Sequence, residues 1–192
     1  MRCITCEELS LSMVCKKCQK DFLDVTLYKR EIKSGFYVYS FYKFEEMKDL
    51  LKSKYYFFGD RIINILAKLS FGKFSKNFDF DEKIYIVPID DTIKNDTFSH
   101  SAILARHMKN KNIKILYNSL IAQNKVKYAG KSLEFRIRNK RNFLYKGKNN
   151  IKVILVDDIV TTGLTILEAK EILEKYNCEV LFALTLSDAK IC

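Results

Sequence analysis

The densest chemistry in the chain lies in thirteen consecutive residues, Val153-Ile154-Leu155-Val156-Asp157-Asp158-Ile159-Val160-Thr161-Thr162-Gly163-Leu164-Thr165. The opening apolar run predicts a strand covered on both faces of a parallel sheet. Asp157 and Asp158 fall where that strand is expected to end, and open α/β sheets bind ligands outside the carboxyl ends of their strands. The hydroxylated turn from Thr161 to Thr165 is centred on Gly163 and runs into a predicted helix. Such a turn can aim backbone N–H groups at an anion, and the helix dipole adds to the attraction. Thr161, Thr162 and Thr165 contribute hydroxyl donors. Two carboxylates beside an anion cradle repel the anion, so sugar hydroxyls are their expected partners. A ribose 5-phosphate satisfies both halves. The bland alternative is a strand, an acidic cap and a helix with no ligand. A phosphatase-like aspartate nucleophile is a third reading, and the missing Asp-x-Asp spacing counts against it.

A second constellation opens the chain. Cys3-x-x-Cys6 and Cys15-x-x-Cys18 supply four thiols within eighteen residues, whereas Cys178 and Cys192 are isolated. A disulfide framework spreads through a small secreted chain, so this clustering reads as a metal site. Four thiolates fill a tetrahedral Zn²⁺ and leave no position for substrate, which makes the expected zinc structural. A redox pair is the alternative.

Charge is concentrated as well. The chain of 192 residues carries 34 basic and 23 acidic side chains, a net of +11. Between Lys125 and Lys152 there are ten basic residues and one acid, Glu134, so this window holds +9 of that total. A focused basic patch gathers anions, phosphates above all. Lys127, Lys131, Arg136, Arg138, Lys140 and Arg141 are the candidate nucleic-acid contacts. Tyr128, Phe135, Phe143 and Tyr145 interleave with them as candidate stacking rings. A solvated basic face over core aromatics is the plainer reading.

These residues need a scaffold. Hydrophobic residues make up 48% of the chain, which supports a packed core and excludes a disordered tail protein. No run of about 18 apolar residues predicts a membrane span, and the N-terminus lacks the pattern of a secretory signal. Residues 36–44 read as an aromatic strand used for packing, and 62–69 as a helix. Phe74 to Asp81 reads as a loop, Lys83 to Ile89 as a buried strand, and Phe98 to Lys109 as a helix. Ile113 to Leu120 is expected to be a strand, as are Ile151 to Val156 and Val180 to Leu186, with a helix from Leu164 to Tyr176 between the last two. Strands alternating with helices imply a parallel sheet. His100 and His107 are expected to be structural.

The 153–165 segment closely resembles the phosphoribosyl-diphosphate (PRPP) motif of type I phosphoribosyltransferases. That resemblance implies a parallel sheet flanked by helices, and PRPP bound with Mg²⁺. It assigns Asp157 and Asp158 to the ribose hydroxyls, as the catalytic pair if transfer occurs. Thr161, Thr162, Gly163 and Thr165 take the 5-phosphate. A four-cysteine knuckle (1–24) ahead of such a domain (25–192) resembles the ComF family of competence proteins. Lys54-Tyr55 with Gly59, Val87-Pro88-Ile89, and Gly130, Arg136, Asn139 and Phe143 resemble further segments of that family. Two places depart from it. Thr97-Phe98-Ser99-His100-Ser101 stands where the family has Arg-Gly-Phe-Asn-Gln, losing a charge near the expected pyrophosphate site, and Tyr128 replaces a glutamine. ComF resemblance implies a cytoplasmic or inner-membrane-peripheral factor of natural transformation. Its implied partners are single-stranded DNA, a transformation helicase and a recombination mediator. Two other readings stay open: a nucleobase-salvage transferase, or a DNA-binding module with PRPP as a regulatory ligand.

Overall fold

The computed structural model describes residues 1–52, 58–78, 80–90, 98–124 and 132–191. Six strands form one sheet in the order β1 (Tyr28–Lys33), β2 (Phe36–Lys43), β8 (Glu179–Asp188), β7 (Lys152–Val160), β3 (Ile84–Pro88), β4 (Ile113–Ile115). β1 and β2 form an antiparallel hairpin, and every other pairing in the sheet is parallel. A separate antiparallel pair, β5 (Leu120–Ala122) and β6 (Phe143–Tyr145), stands beside it. The expected mixed α/β fold with a mostly parallel, helix-flanked sheet is therefore the observed one.

Alternation along the central strands splits the core in two. Ile84, Ile86, Ile154 and Val156 face one cluster. It is shared with α2 (Phe44–Lys52), α3 (Gly59–Leu69), α4 (Phe71–Asn77) and α5 (His100–Arg106). Tyr85, Val87, Val153 and Leu155 face the other, under α7 (Leu164–Glu174) and the β5–β6 pair. Strands covered on both faces need near-continuous apolar sequence, which is why 84–87 and 153–156 carry it. The N-terminal knuckle and α1 (Lys16–Phe22) join the first cluster through buried Cys3, Val14, Cys18 and Leu23.

Several expectations are corrected. The predicted loop at 74–81 begins as α4, because Phe71 and Phe74 pack against Phe41 with ring centroids 4.8 and 6.1 Å away. The predicted strand at 113–120 is two short pieces, β4 and the start of β5, and Asn118 lies between them at φ +50°. β7 runs past Val156 to Val160, because β8 still pairs with it there. His107 has the structural role expected of it. Its Nε2 and Asn64 Oδ1 are 2.6 Å apart, while burial, with help from Arg106 and Lys68, holds its pKa below the usual value. Packing is also the role of Phe36, Phe41 and Tyr42, all buried as expected.

Candidate functional site

The sheet opens at the end of β3. Pro88 is opposite Val156, and β3 stops there, whereas β7 continues beside β8 with Asp157 opposite Thr185 and Val160 opposite Asp188. Among the described residues, 157–160 thus pair with β8 alone, beyond the last residue of β3. Side-chain alternation slips at the same point. Val156 and Ile159, three apart, both pack toward the first cluster, and Val160 toward the second. The slip falls on Asp157 and Asp158, the half-buried pair that neither cluster claims.

Local bonds order both acids. The backbone N–H of Asp158 donates to Asp157 Oδ1 at 2.8 Å. Asp158 Oδ2 lies 3.3 Å from Nδ1 of His100, the first residue of α5. Ser99 caps that helix by accepting from the Ala102 N–H at 3.2 Å, and Ser101 Oγ donates to the Ile89 carbonyl at 2.9 Å. The α5 N-terminus is thereby fixed over the end of β3. Sequence reasoning gave His100 a structural role; the fold brings it to one of the two predicted acids.

Thr161, Thr162 and Gly163 form the turn from β7 into α7. Gly163 caps α7 at φ +83°, and a Cβ there would meet Ile32 side-chain atoms at 3.0–3.1 Å. Both the left-handed backbone and the close approach of β1 demand glycine. Thr162 Oγ1 accepts from the Leu164 N–H at 3.5 Å, and Thr165 sits in the first turn of α7. The five residues 161–165 are thus one turn against one helix start, as the sequence predicted.

Two arginines hold Thr161. Arg30 of β1 donates to the Thr161 carbonyl at 2.9 Å and grips Asp188 with a fork, Nε to Oδ2 at 2.6 Å and Nη2 to Oδ1 at 3.1 Å. The Asp188 side chain is 0% exposed and that of Arg30 is 19% exposed. Arg136 Nη1 donates to Thr161 Oγ1 at 2.6 Å from α6 (Leu133–Arg138). Sequence reasoning missed Arg30 and Asp188. One signal lay in plain view, an acid closing the apolar run of β8 just as acids close that of β7.

The basic window divides. Arg138 and Lys140 are exposed, Arg136 and Arg141 are half-buried, and Lys127, Lys131 and Tyr128 lie outside the described residues. Phe143 and Tyr145 are buried in the second cluster at 6% and 4% exposure, so they do not form a stacking surface. Phe135 is half-buried.

At the knuckle, the four predicted cysteine sulfurs lie within 4.8 Å of one another. Tetrahedral Zn–S bonds of ~2.3 Å place sulfurs about 3.8 Å apart, and Cys6 and Cys15 Sγ are 3.8 Å apart. Backbone N–H groups of Cys15 and Thr5 point at Cys3 Sγ (3.2 and 3.5 Å), and that of Cys18 at Cys15 Sγ (3.4 Å). The donors from Cys15, Cys6 and Thr5 lower the Cys3 thiol to about 6 against the opposing effect of burial. Burial and the neighbouring thiols push Cys18 up. The donor set and its spacing fit a tetrahedral thiophilic ion.

Paired acids past the end of β3 and a glycine-centred hydroxyl turn thus stand together on a mostly parallel, helix-flanked sheet. Residues 93–191 match the family of the phosphoribosyl transferase domain, and the chain belongs to that family. Similar solved structures include the UMP synthase of Leishmania donovani, at 20% identity over 90% of this chain and 30% of that one, with a TM-score of 0.41. A hypoxanthine phosphoribosyltransferase of Staphylococcus aureus matches at 16% identity over 67% of this chain and 64% of that one, TM-score 0.39. An adenine phosphoribosyltransferase matches at 14% over 90% and 89%, TM-score 0.40. The chain thus spans less than a third of the first structure's length and under two thirds of the second's. No curated protein sequence matches it. Among the described residues, no helix is long and apolar enough to cross a membrane.

Proposed function

We propose that this chain is a ComF-like protein, a zinc knuckle (1–24) on a phosphoribosyltransferase-type domain (25–192). It binds PRPP with Mg²⁺ and handles single-stranded DNA during natural transformation. The observation that carries the reading is the extension of β7 past the end of β3, where two half-buried acids run directly into the turn at 161–163. There, Asp157 and Asp158 accept hydrogen bonds from the ribose 2- and 3-hydroxyls, and the 161–165 turn donates to the 5-phosphate. In a transfer, the bond between C1 and the diphosphate oxygen breaks, its electron pair leaves with the diphosphate, and the acceptor bonds to C1. Charge then develops toward an oxocarbenium ion, and the two carboxylates lie on the sugar side to favour it. Charge on the leaving diphosphate would be neutralised by the Mg²⁺ that accompanies PRPP.

DNA contact falls to Arg138, Lys140 and Arg141, with Lys127, Lys131 and Arg136 completing the predicted set. With Phe143 and Tyr145 buried, backbone phosphates rather than stacked bases are the expected points of contact. Titrating the protein with PRPP–Mg²⁺ and then with labelled single-stranded DNA tests the whole reading. The Asp157→Asn/Asp158→Asn variant is expected to lose PRPP affinity while keeping its thermal transition, and unchanged affinity overturns the site. Strong PRPP binding with no DNA affinity at low salt would transfer the protein to nucleobase salvage. DNA affinity that PRPP modulates with no diphosphate release across a base panel would make PRPP a regulatory ligand.

A further inference from the structure

We propose that Arg136 belongs to the sugar-phosphate site, as a cationic partner of the terminal phosphomonoester, beyond the nucleic-acid role its sequence context suggests. The inference rests on the PRPP reading above and extends it to a residue that lies outside the strand–turn–helix segment. A threonine hydroxyl has one proton to donate and two lone pairs to accept with. Because Thr161 Oγ1 accepts from Arg136 Nη1 at 2.6 Å, its own proton is directed away from that guanidinium. The Thr161 carbonyl accepts in turn from Arg30. Thr161 is thereby set as a hydroxyl donor in a turn at a helix N-terminus, a polarity suited to an anion. The guanidinium that sets it adds a forked, permanently charged donor of the geometry that phosphate oxygens accept.

The contact is a docked one. Ser132 caps α6 by accepting from the Phe135 N–H at 3.2 Å. Beyond α6, Glu168 of α7 accepts the backbone N–H groups of Arg141 (3.0 Å) and Asn142 (2.7 Å). Asn124 reaches the same strap from the other side, donating to the carbonyls of Arg141 (2.9 Å) and Lys140 (3.0 Å). The segment bearing Arg136 is thus fastened to the helix whose first turn the phosphate would face.

Calorimetric titration with PRPP–Mg²⁺, ribose 5-phosphate and Mg²⁺–pyrophosphate tests this on the full chain. Arg136→Gln is expected to weaken PRPP and ribose 5-phosphate at least tenfold and to leave pyrophosphate unchanged. Arg136→Lys restores part of the loss, because the charge returns without the fork. Thr161→Val combined with Arg136→Gln is expected to lose less than the sum of the single losses. Lys146→Gln, the same charge change at an exposed site in the same basic window, leaves all three affinities as in the wild type. Wild-type sugar-phosphate affinity in Arg136→Gln overturns this inference and leaves the PRPP reading standing. Equal weakening of all three ligands also overturns it, by assigning Arg136 to general structure. A wild-type protein that binds neither PRPP nor ribose 5-phosphate overturns the PRPP reading, and this inference with it.

Discussion

Replacing Arg30 with methionine keeps much of the side-chain volume and removes the guanidinium from a carboxylate that has no access to water. Asp188 accepts from Arg30 twice and from the Lys190 N–H once, at 2.8 Å. The variant leaves a fully buried charge with a single donor. Breaking one side of a buried ion pair costs about 3–5 kcal/mol, and the remaining Lys190 bond together with the partial exposure of Arg30 favours the lower end. For a chain of this size a loss of about 3 kcal/mol lowers Tm by roughly 6–12 °C. Differential scanning calorimetry reads this directly. A second effect follows at the turn, where the Thr161 carbonyl loses its charged donor; below the transition, ribose 5-phosphate affinity is expected to fall as well. Arg30→Met/Asp188→Leu is the decisive companion, because a buried pair replaced by apolar groups is often neutral. It should regain more than half of the lost Tm without regaining ligand affinity. A Tm for Arg30→Met within 2 °C of the wild type, or a double variant no more stable than the single one, refutes the reasoning.

Gly163→Ala is expected to cost about 1–2 kcal/mol from the left-handed backbone alone; crowding against Ile32 adds to it, and phosphate-ligand affinity falls in the same titration. Purified protein is expected to hold one zinc per chain by plasma mass spectrometry, with Co²⁺ substitution giving the absorption of a tetrahedral thiolate site; Cys18→Ser should lose both. Zinc binding needs the four thiols deprotonated, so it is expected to weaken on acidification as protons compete for the sulfurs, checked by metal retention on dialysis at pH 5 and pH 8. Neutralising Arg138, Lys140 and Arg141 together should lower the slope of log affinity for single-stranded DNA against log salt by about 0.7 for each phosphate that the variant no longer neutralises.

Much of the architecture was legible because it is written in short-range pattern. The buried strands at 84–88 and 152–156, the helix after Gly163 and the clustered cysteines each declare themselves within a dozen residues. What stayed hidden depends on distant partners. The extension of β7 to Val160 exists because β8 offers a pairing edge there, and nothing in Asp157-Asp158 signals that. The loop expected at 74–81 failed over 74–77, because Phe71 and Phe74 draw their helix from tertiary contact with Phe41. Within the candidate site, the acids, threonines and glycine are contiguous and so were readable. Arg30, Asp188 and His100 arrive from three other elements, and only folding shows that they converge. Two of the four expected stacking rings failed for a related reason, since a basic window tells which residues are charged and not which way Phe143 and Tyr145 turn.

The place of β8 in the sheet has a consequence for folding. It follows both of its neighbours, β2 and β7, in the sequence and lies between them. Until it inserts, the N-terminal hairpin has no parallel neighbour and β7 lacks the partner that carries it past Val156. Long-range parallel pairing of this kind closes slowly and leaves sticky edges in the meantime. A chain cut before residue 179 would keep the β1–β2 and β3–β7 pairings and leave β2 and β7 each with one open edge.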